Sequence, residues 1–469
     1  MVSNVSTLKT GVLNFWEVLA QSIALISPTM TAALIIPLMF STAGNAGWFA
    51  YAAGAVMALF VALNLNQFAK RSATTGSMYN YSVTGLGPTG GALAGWSLIF
   101  AYTFIGCAGM TGFTTFAQQL LGFVGLNIPA APLLAICVFL CWACAYKDIR
   151  LSAILTLALE GISVTLILVL IAAALGAKGF APDTAQLTLS GANISVIALG
   201  VIVAIFSQVG FEAATAFGQE AKNPLKTIPR AVIVSLIVTG IFFVIVTYTE
   251  TMWLANAKPT LDKQTAPLTT LAGMLHMGYF AAPIDFGAMI SFFGLALSCM
   301  NSGARIMWSM GRHGAMHDVF GSTHETNATP DTAITVMAAL EFIIPTCMIL
   351  GGMAVTDAFN DVGTFGAIGF TVAYVFISLA APAYLKKLGE LKPLDMAISA
   401  AAVVLLLGTI VFGFFIPPPA PPVNYFPYIF IAYFLIGLAC FMRMKNKPNA
   451  DTMMMPPAMP PSAVMHEVA

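Results

Sequence analysis

Long apolar runs alternate with short polar segments along almost the whole chain. A membrane-spanning helix needs about 20 predominantly apolar residues, and the pattern predicts an all-α integral membrane protein with twelve such helices. The predicted spans lie near residues 14–40, 46–69, 89–121, 129–146, 152–176, 193–218, 229–253, 283–311, 333–352, 362–385, 395–415 and 424–443. No stretch outside them is long enough to form a soluble domain.

Composition and charge agree with this pattern and add an orientation. The chain is 59% hydrophobic and 8% charged, whereas soluble domains carry roughly 25% charged residues. If the N-terminus is cytoplasmic, all but three of the 19 Lys and Arg residues fall on the cytoplasmic side, the exceptions being Lys178, Lys258 and Lys263. Positive charge favours the cytoplasmic side, so both termini are expected there, in a bacterial inner (plasma) membrane.

Two of the predicted spans contain residues that interrupt a helix. Pro28 lies in the middle of the first span and cannot donate a hydrogen bond to the carbonyl of Ala24. Gly210 lies in the middle of the sixth span beside Glu212, and a carboxylate at that depth costs roughly 2.5–3.5 kcal/mol on insertion scales. We therefore predict breaks near residues 27–31 and 208–212, and such a pair is typical of a transporter.

The two breaks are five spans apart, which suggests an internal duplication. Transporters built from inverted repeats place their broken helices at corresponding positions of the two repeats. Residues 14–176 and 193–388 are then the predicted repeats, and residues 394–444 hold two extra spans. Residues 1–13 are predicted to be a cytoplasmic N-terminus, and the Met- and Pro-rich residues 445–469 a disordered cytoplasmic tail.

Three motifs resemble the amino acid–polyamine–organocation (APC) family of permeases. Residues 206–231 contain a Gly-Phe-acid core followed by an acid, Asn-Pro, a basic residue and Ile-Pro, which is similar to the family's sixth span. Residues 301–330 resemble the end of the family's eighth span with its cytoplasmic loop, and residues 76–81 the entry to its third. The resemblance implies a leucine-transporter-like fold and secondary active transport of amino acids by proton symport or exchange with alternating access, with no enzymatic activity and no cofactor.

The resemblance also implies a substrate site at the two breaks. A substrate carboxylate is expected to meet the free N–H groups near Thr29, and an ammonium group the carbonyls of residues such as Ala24 and Gln208. Phe206 and Phe211 would be aromatic gates, or else ordinary lipid or core contacts. The implied substrate-binding residues are Ala24, Ser27, Thr29, Met30, Thr31, Ala32, Phe206, Gln208, Val209, Gly210 and Phe211. The family's Gly-Ser-Gly falls on residues 30–32, where Met30 would narrow the site.

Two acidic residues are candidates for coupling transport to a proton. Glu212 is interpreted as a proton carrier, as a partner for a substrate cation or as a hydrogen-bonded strut, and burial favours its neutral form. Glu160 is a second proton candidate, with a structural role as the alternative. Ser298 and Ser302 form a candidate sodium site by analogy with related transporters. For Glu341, a buried hydrogen bond is the only role expected.

Other functions find less support in the sequence. A polyamine or other organocation transporter is the main alternative, and a membrane-embedded enzyme or receptor a remote one. No Walker motif is present, so this chain is not expected to use ATP. Neither the pair His313 and His317 nor the pair Cys141 and Cys144 is expected to bind a metal. The expected partners are a small substrate, a coupling proton and the lipid bilayer, and no nucleic acid.

Overall fold

The structure is a computed structural model that describes residues 13–72, 77–147, 150–217, 221–325, 327 and 329–445. Within these residues the regular secondary structure is helical, and the pairing of Leu13 with Ala221 is an isolated bridge. The helices are α1 (Phe15–Ile26), α2 (Pro28–Met30), α3 (Ile36–Ala43), α4 (Gly47–Ala69), α5 (Ser77–Phe123), α6 (Ala130–Lys147), α7 (Arg150–Ala177), α8 (Thr184–Leu187), α9 (Ile194–Gln208), α10 (Pro224–Leu254), α11 (Pro267–Met274), α12 (Ala281–Arg312), α13 (Asp331–Leu350), α14 (Val355–Leu388), α15 (Pro393–Phe414) and α16 (Phe426–Lys445). The terminal segments predicted at 1–13 and 445–469 lie outside the described residues, apart from Leu13 and Lys445.

Ten stretches in the described part of the chain are long and apolar enough to cross a membrane. This confirms an all-helical, multi-pass membrane protein. Two local features explain why ten stretches are found where twelve spans were predicted. A short 3-10 turn at Gly44–Ala46 joins the first two spans into one stretch, Pro28–Ala69, and the sixth span contains only the short apolar helix α9 before it breaks. The count of twelve stays a prediction.

The third predicted span, 89–121, begins earlier in the structure. Helix α5 starts at Ser77 and contains a kink at Gly87, whose φ is 80°. Pro88 lacks an N–H and disfavours helical backbone in the residue before it. The positive φ at that position is adopted readily by a glycine, which has no Cβ. The segment before the kink is fixed by Lys387, whose Nζ donates to the Thr84 and Gly85 carbonyls at 2.9 Å each.

Glycines allow the central helices α5, α12 and α14 to pack closely. A Cβ atom at Gly109 would lie 2.8 Å from the backbone nitrogen of Ala296 on α12, and one at Gly366 would lie 2.9 Å from the side chain of Ile105. Small residues at helix contacts are typical of membrane bundles, because they bring backbones together. Large apolar side chains on peripheral helices, such as Phe139 and Val404, are exposed, as expected for surfaces that face lipid.

Candidate functional site: two interrupted helices and their buried acids

The first predicted break is present at Ser27. Helix α1 ends at Ile26, and Ser27 adopts a left-handed backbone with φ 57° and ψ 65°. This conformation is uncommon for a residue other than glycine. Helical backbone resumes at Pro28 and continues through a π-helical turn, Thr31–Ile35, into α3. The sequence therefore located this break correctly within residues 27–31.

The second break lies at Val209 and Gly210, as predicted. Helix α9 ends at Gln208, and Val209 has extended backbone with φ −51° and ψ 134°. Gly210 follows with φ 112°, a conformation that L side chains rarely adopt. The chain then continues as a 3-10 helix, Phe211–Phe217, which carries Glu212.

The two breaks lie directly against each other. A Cβ atom at Gly210 would lie 2.9 Å from both the Ile26 nitrogen and the Leu25 carbonyl carbon, so its backbone touches the last turn of α1. The flanking residues Thr29, Thr31 and Phe211 are fully buried. The structure thus brings together the halves of the predicted substrate site in a closed arrangement.

Glu212 joins the second break to two other helices. Its Oε2 accepts hydrogen bonds from the Gly210 N–H at 3.1 Å and from the Tyr374 hydroxyl on α14 at 3.2 Å. Its Oε1 accepts one from the Tyr102 hydroxyl on α5 at 3.3 Å. The side chain is completely buried. A buried carboxyl group of this kind fixes the break to the surrounding helices, and its acceptor capacity depends on its protonation state.

Glu160 lies at the first break, where its Oε1 accepts a hydrogen bond from the Thr29 N–H at 2.8 Å. Helix α7 thus presents a carboxylate to the donor that the sequence analysis assigned to a substrate carboxylate. Beside it, the Ser27 hydroxyl hydrogen-bonds the Ser291 hydroxyl on α12 and also lies 3.2 Å from the Ser291 carbonyl. The first break is therefore linked by hydrogen bonds to both α7 and α12.

The remaining residues of the predicted substrate site are mainly packed in the closed structure. Met30 and Ala32 are buried, and Val209 follows the end of α9. The Phe206 ring lies tilted against the Phe359 ring, with ring centroids 5.5 Å apart. The Gln208 amide faces the α4 backbone at Gly54 and Ala55. Ala24 lies in α1, and its side chain is outside the described residues.

The α12 residue that contacts Ser27 at the first break is Ser291, which lies two turns before the sodium-site candidate Ser298. The other candidate, Ser302, lies near the Tyr102 hydroxyl. A sodium site at Ser298 and Ser302 stays a prediction. Ser291, which the sequence analysis missed, is therefore the α12 hydroxyl at this place; it carries no sequence signal that distinguishes it from Ser298.

No group of His, Cys, Asp and Glu side chains in the described ranges is arranged to hold a metal ion. His313 Nδ1 lies 3.1 Å from the Tyr79 hydroxyl, whereas His317 Nδ1 accepts from the Val319 N–H. Burial, with a smaller effect from neighbouring Arg312, lowers the pKa of His313.

Two further buried acids have no hydrogen-bond partner among the described residues. Glu341 lies directly against α5 at Gly106, and neither of its oxygens is paired there, so the expected hydrogen bond is not found in this part of the chain. Glu250, near the C-terminal end of α10, is completely buried, and both of its oxygens are likewise unpaired. Glu250 was not among the residues predicted from the sequence, although an acid inside the apolar range 229–253 was a usable signal.

Comparisons with known proteins agree with this geometry. A family model described as amino acid permease matches residues 13–439. The branched-chain amino acid permease of Bacillus subtilis (strain 168) is 24% identical over 75% of this chain and 76% of its own length. The low-affinity putrescine importer of Escherichia coli (strain K12) is 22% identical over 71% and 72%, and the aspartate-proton symporter of Bacillus subtilis (strain 168) is 24% identical over 64% and 60%.

A solved structure supports the fold alone. The manganese transporter of Eremococcus coleocola superposes with a TM-score of 0.58 at 13% identity, over 94% of this chain and 98% of that one. The family match covers almost the whole chain, including both breaks and all four buried acids discussed above. The chain is therefore a membrane permease that belongs to the amino acid permease family.

Proposed function

We propose that this permease is a secondary transporter that carries a small amino acid together with a proton across a bacterial inner membrane, without covalent chemistry. The observation that carries the proposal is the contact between the two broken helices at Gly210 and Ile26, with the buried acid Glu212 attached to it. Relatives named for branched-chain amino acids and for aspartate–proton symport support the substrate class and the coupling ion.

The organisation into inverted repeats is part of the same proposal. Residues 14–176 and 193–388 form the two repeats, residues 394–444 are additional, and each break lies in the first span of its repeat. Both termini are cytoplasmic because the Lys and Arg residues concentrate on that side. Alternating access then consists of movement of the broken helices against the helices that hold Tyr102 and Tyr374.

Glu212 has the contacts that a proton carrier needs in such a movement. In its carboxylate form it accepts from two tyrosine hydroxyls and from the break itself. Protonation converts one acceptor oxygen into a donor, which removes part of this acceptor set and loosens the connection between the break and helices α5 and α14. A proton bound at Glu212 therefore favours separation of the break from helices α5 and α14. Glu212 is then a hydrogen-bonded strut in its ionised form and the proton carrier in its protonated form.

The test separates proton coupling from substrate movement. Glu212→Gln keeps the size of the side chain but cannot titrate, so we expect proton-driven accumulation to fall much more than counterflow. Both are measured in liposomes with the same labelled amino acid, accumulation under an imposed pH gradient and counterflow without one. Glu341→Gln changes another buried acid, which lies on α13 and packs against α5 at Gly106. This variant is the matched control and should preserve both activities.

Equal loss of accumulation and counterflow in Glu212→Gln would show that the residue binds substrate instead of carrying the proton. Normal accumulation would exclude it from the mechanism. Absence of transport by the wild-type protein for every amino acid tested would refute the proposed substrate class.

One specific observation favours a second candidate function, the transport of organic cations. The Thr29 N–H, which would bind a substrate carboxylate, already has Glu160 as its acceptor. A diamine needs no such donor, and the putrescine importer is among the relatives. A preference for amines over the corresponding amino acids in the uptake assay would support this alternative.

A further inference from the structure

The first turn after Ser27 has no N–H group free to bind a ligand. Pro28 has no N–H, and the Thr29 N–H donates to Glu160. The Met30 N–H donates to the Ser27 carbonyl at 3.0 Å, and the Thr31 N–H to the Pro28 carbonyl. A helix start normally leaves several donors unsatisfied, so Glu160 completes an unusual, fully satisfied start.

The position of Glu160 is that of a substrate carboxylate in the proposed function. A carboxylate bound to the first N–H groups of a helix is stabilised by the donors and by the helix dipole. Two carboxylates cannot occupy this place together, because like charges at such a distance in a buried site strongly disfavour each other. A substrate carboxylate can reach Thr29 only if the Glu160 carboxylate leaves.

Among the side chains that the structure describes, no cation lies beside Glu160 to receive its carboxylate. Among the described residues, the groups that reach its carboxylate from α2 and α12 are Thr29 and the hydroxyl of Ser291. The other buried acids on helices packed against α7 are Asp285 on α12, which accepts from Thr269, and Glu250 on α10, which is unpaired. The salt bridge found in the described part of the chain joins Arg71 and Glu390 at the surface. An ionised carboxylate displaced into this environment is costly and is neutralised by a proton.

We propose that Glu160 is a tethered competitor that yields the Thr29 N–H to the carboxylate of the substrate by taking up one proton. This inference rests on the proposed function and identifies which substrates bind with uptake of a proton at Glu160, a proton distinct from the one that Glu212 is proposed to carry. The proton is taken from water and binds a carboxylate oxygen of Glu160, and no covalent bond of the substrate changes. Substrates with a carboxylate bind with proton uptake, whereas amines without one leave Glu160 in place and bind without it.

Proton uptake on binding makes the affinity of a ligand depend on pH. If binding requires one proton, affinity falls by up to about tenfold for each pH unit above the range in which Glu160 is protonated, because one pH unit corresponds to about 1.4 kcal/mol. The loss applies only to ligands that displace Glu160. Two matched pairs differ in the carboxylate alone: leucine with 3-methylbutylamine, and lysine with 1,5-diaminopentane.

The experiment measures binding of these four ligands to the purified full-length protein between about pH 6 and about pH 8. This range leaves the ligand amines protonated, since amines titrate near pH 10. In the wild type we expect the affinity of the amino acid to fall with rising pH, by up to about tenfold per pH unit, and that of the matching amine to stay nearly constant. In Glu160→Ala the amino acid should lose this pH dependence and bind more tightly than to the wild type at the higher pH.

Glu160→Gln is the second variant, which keeps the test valid if Glu160→Ala fails to fold. Its neutral amide can still accept from Thr29 but cannot titrate, so it should also abolish the slope. Glu341→Gln, the control, should retain the wild-type slope. A slope that persists in both Glu160 variants, or equal slopes for amino acid and amine in the wild type, would overturn the inference.

Two outcomes distinguish this inference from the proposed function. If the wild type binds and transports amino acids with no difference in slope between the paired ligands, the transport proposal stands and the tethered competitor is refuted. If only the amines bind, to the wild type and to Glu160→Ala alike, the amino acid function fails together with the inference, and the organic cation alternative is supported.

Discussion

Gly210 is the residue at which the two breaks come into contact, and its substitution is the most direct test of that geometry. In Gly210→Ala the new Cβ atom would lie 2.9 Å from the Ile26 nitrogen and from the Leu25 carbonyl carbon. These are backbone atoms at the end of α1, so they cannot move aside as a flexible side chain would. The alanine would also have to adopt a φ of 112°, which costs about 1–3 kcal/mol, and overpacking typically adds about 1–3 kcal/mol.

We therefore expect Gly210→Ala to destabilise the closed arrangement by about 2–6 kcal/mol. The assay is the apparent melting midpoint of the detergent-purified protein by fluorescence-detected size-exclusion chromatography, combined with counterflow in liposomes. Both should fall strongly. The matched control is Gly408→Ala on α15, where a new Cβ would meet no atom within 4 Å. There alanine should be neutral or slightly stabilising, because it is a better helix former by about 1 kcal/mol. A Gly210→Ala protein with wild-type melting and counterflow would refute the close contact of the two breaks.

Two further predictions concern residues away from the breaks. Glu250→Met removes a buried carboxyl group that has no hydrogen-bond partner within the described ranges. Because an apolar side chain of similar size avoids the desolvation of this carboxyl group, we expect a higher melting midpoint. A lower midpoint would show that Glu250 has a stabilising partner. Burial lowers the pKa of His313, so the unfolded chain binds a proton at this imidazole more readily than the folded protein does. The folding stability linked to the neutral form of His313 is therefore present above the pKa of the unfolded state and is lost as the pH falls. His313→Asn should therefore weaken the decline of the melting midpoint on acidification from about pH 7.5 to about pH 5.5, and an unchanged pH profile would contradict this assignment.

The sequence predicted both breaks because their causes are local. Pro28 lacks a donor, and Gly210 permits a backbone that other residues avoid, so each break can be inferred from a few neighbouring residues. The early start of α5 at Ser77 was missed because the residues before Gly87 are more polar than a span. The tertiary contacts of the acids could not be inferred. Glu160 meets Thr29 from 131 residues away, and apolar periodicity carries no information on which helix supplies that partner.

The hydrogen bonds at the first break bear directly on how a substrate would be selected. Because Pro28 lacks an N–H, one carboxylate on Thr29 is enough to satisfy the start of the second half of the first span. Opening or occupying this site must replace an existing bond, since an unsatisfied buried donor costs about 1–3 kcal/mol. Under the proposed function, a substrate would be selected by how well its carboxylate replaces that of Glu160 at the Thr29 N–H. We propose that Glu160 takes up a proton in that exchange and that Glu212 controls the contact of the other break with Tyr102 and Tyr374. The acid at each break would then have a separate task, Glu160 in recognition and Glu212 in movement.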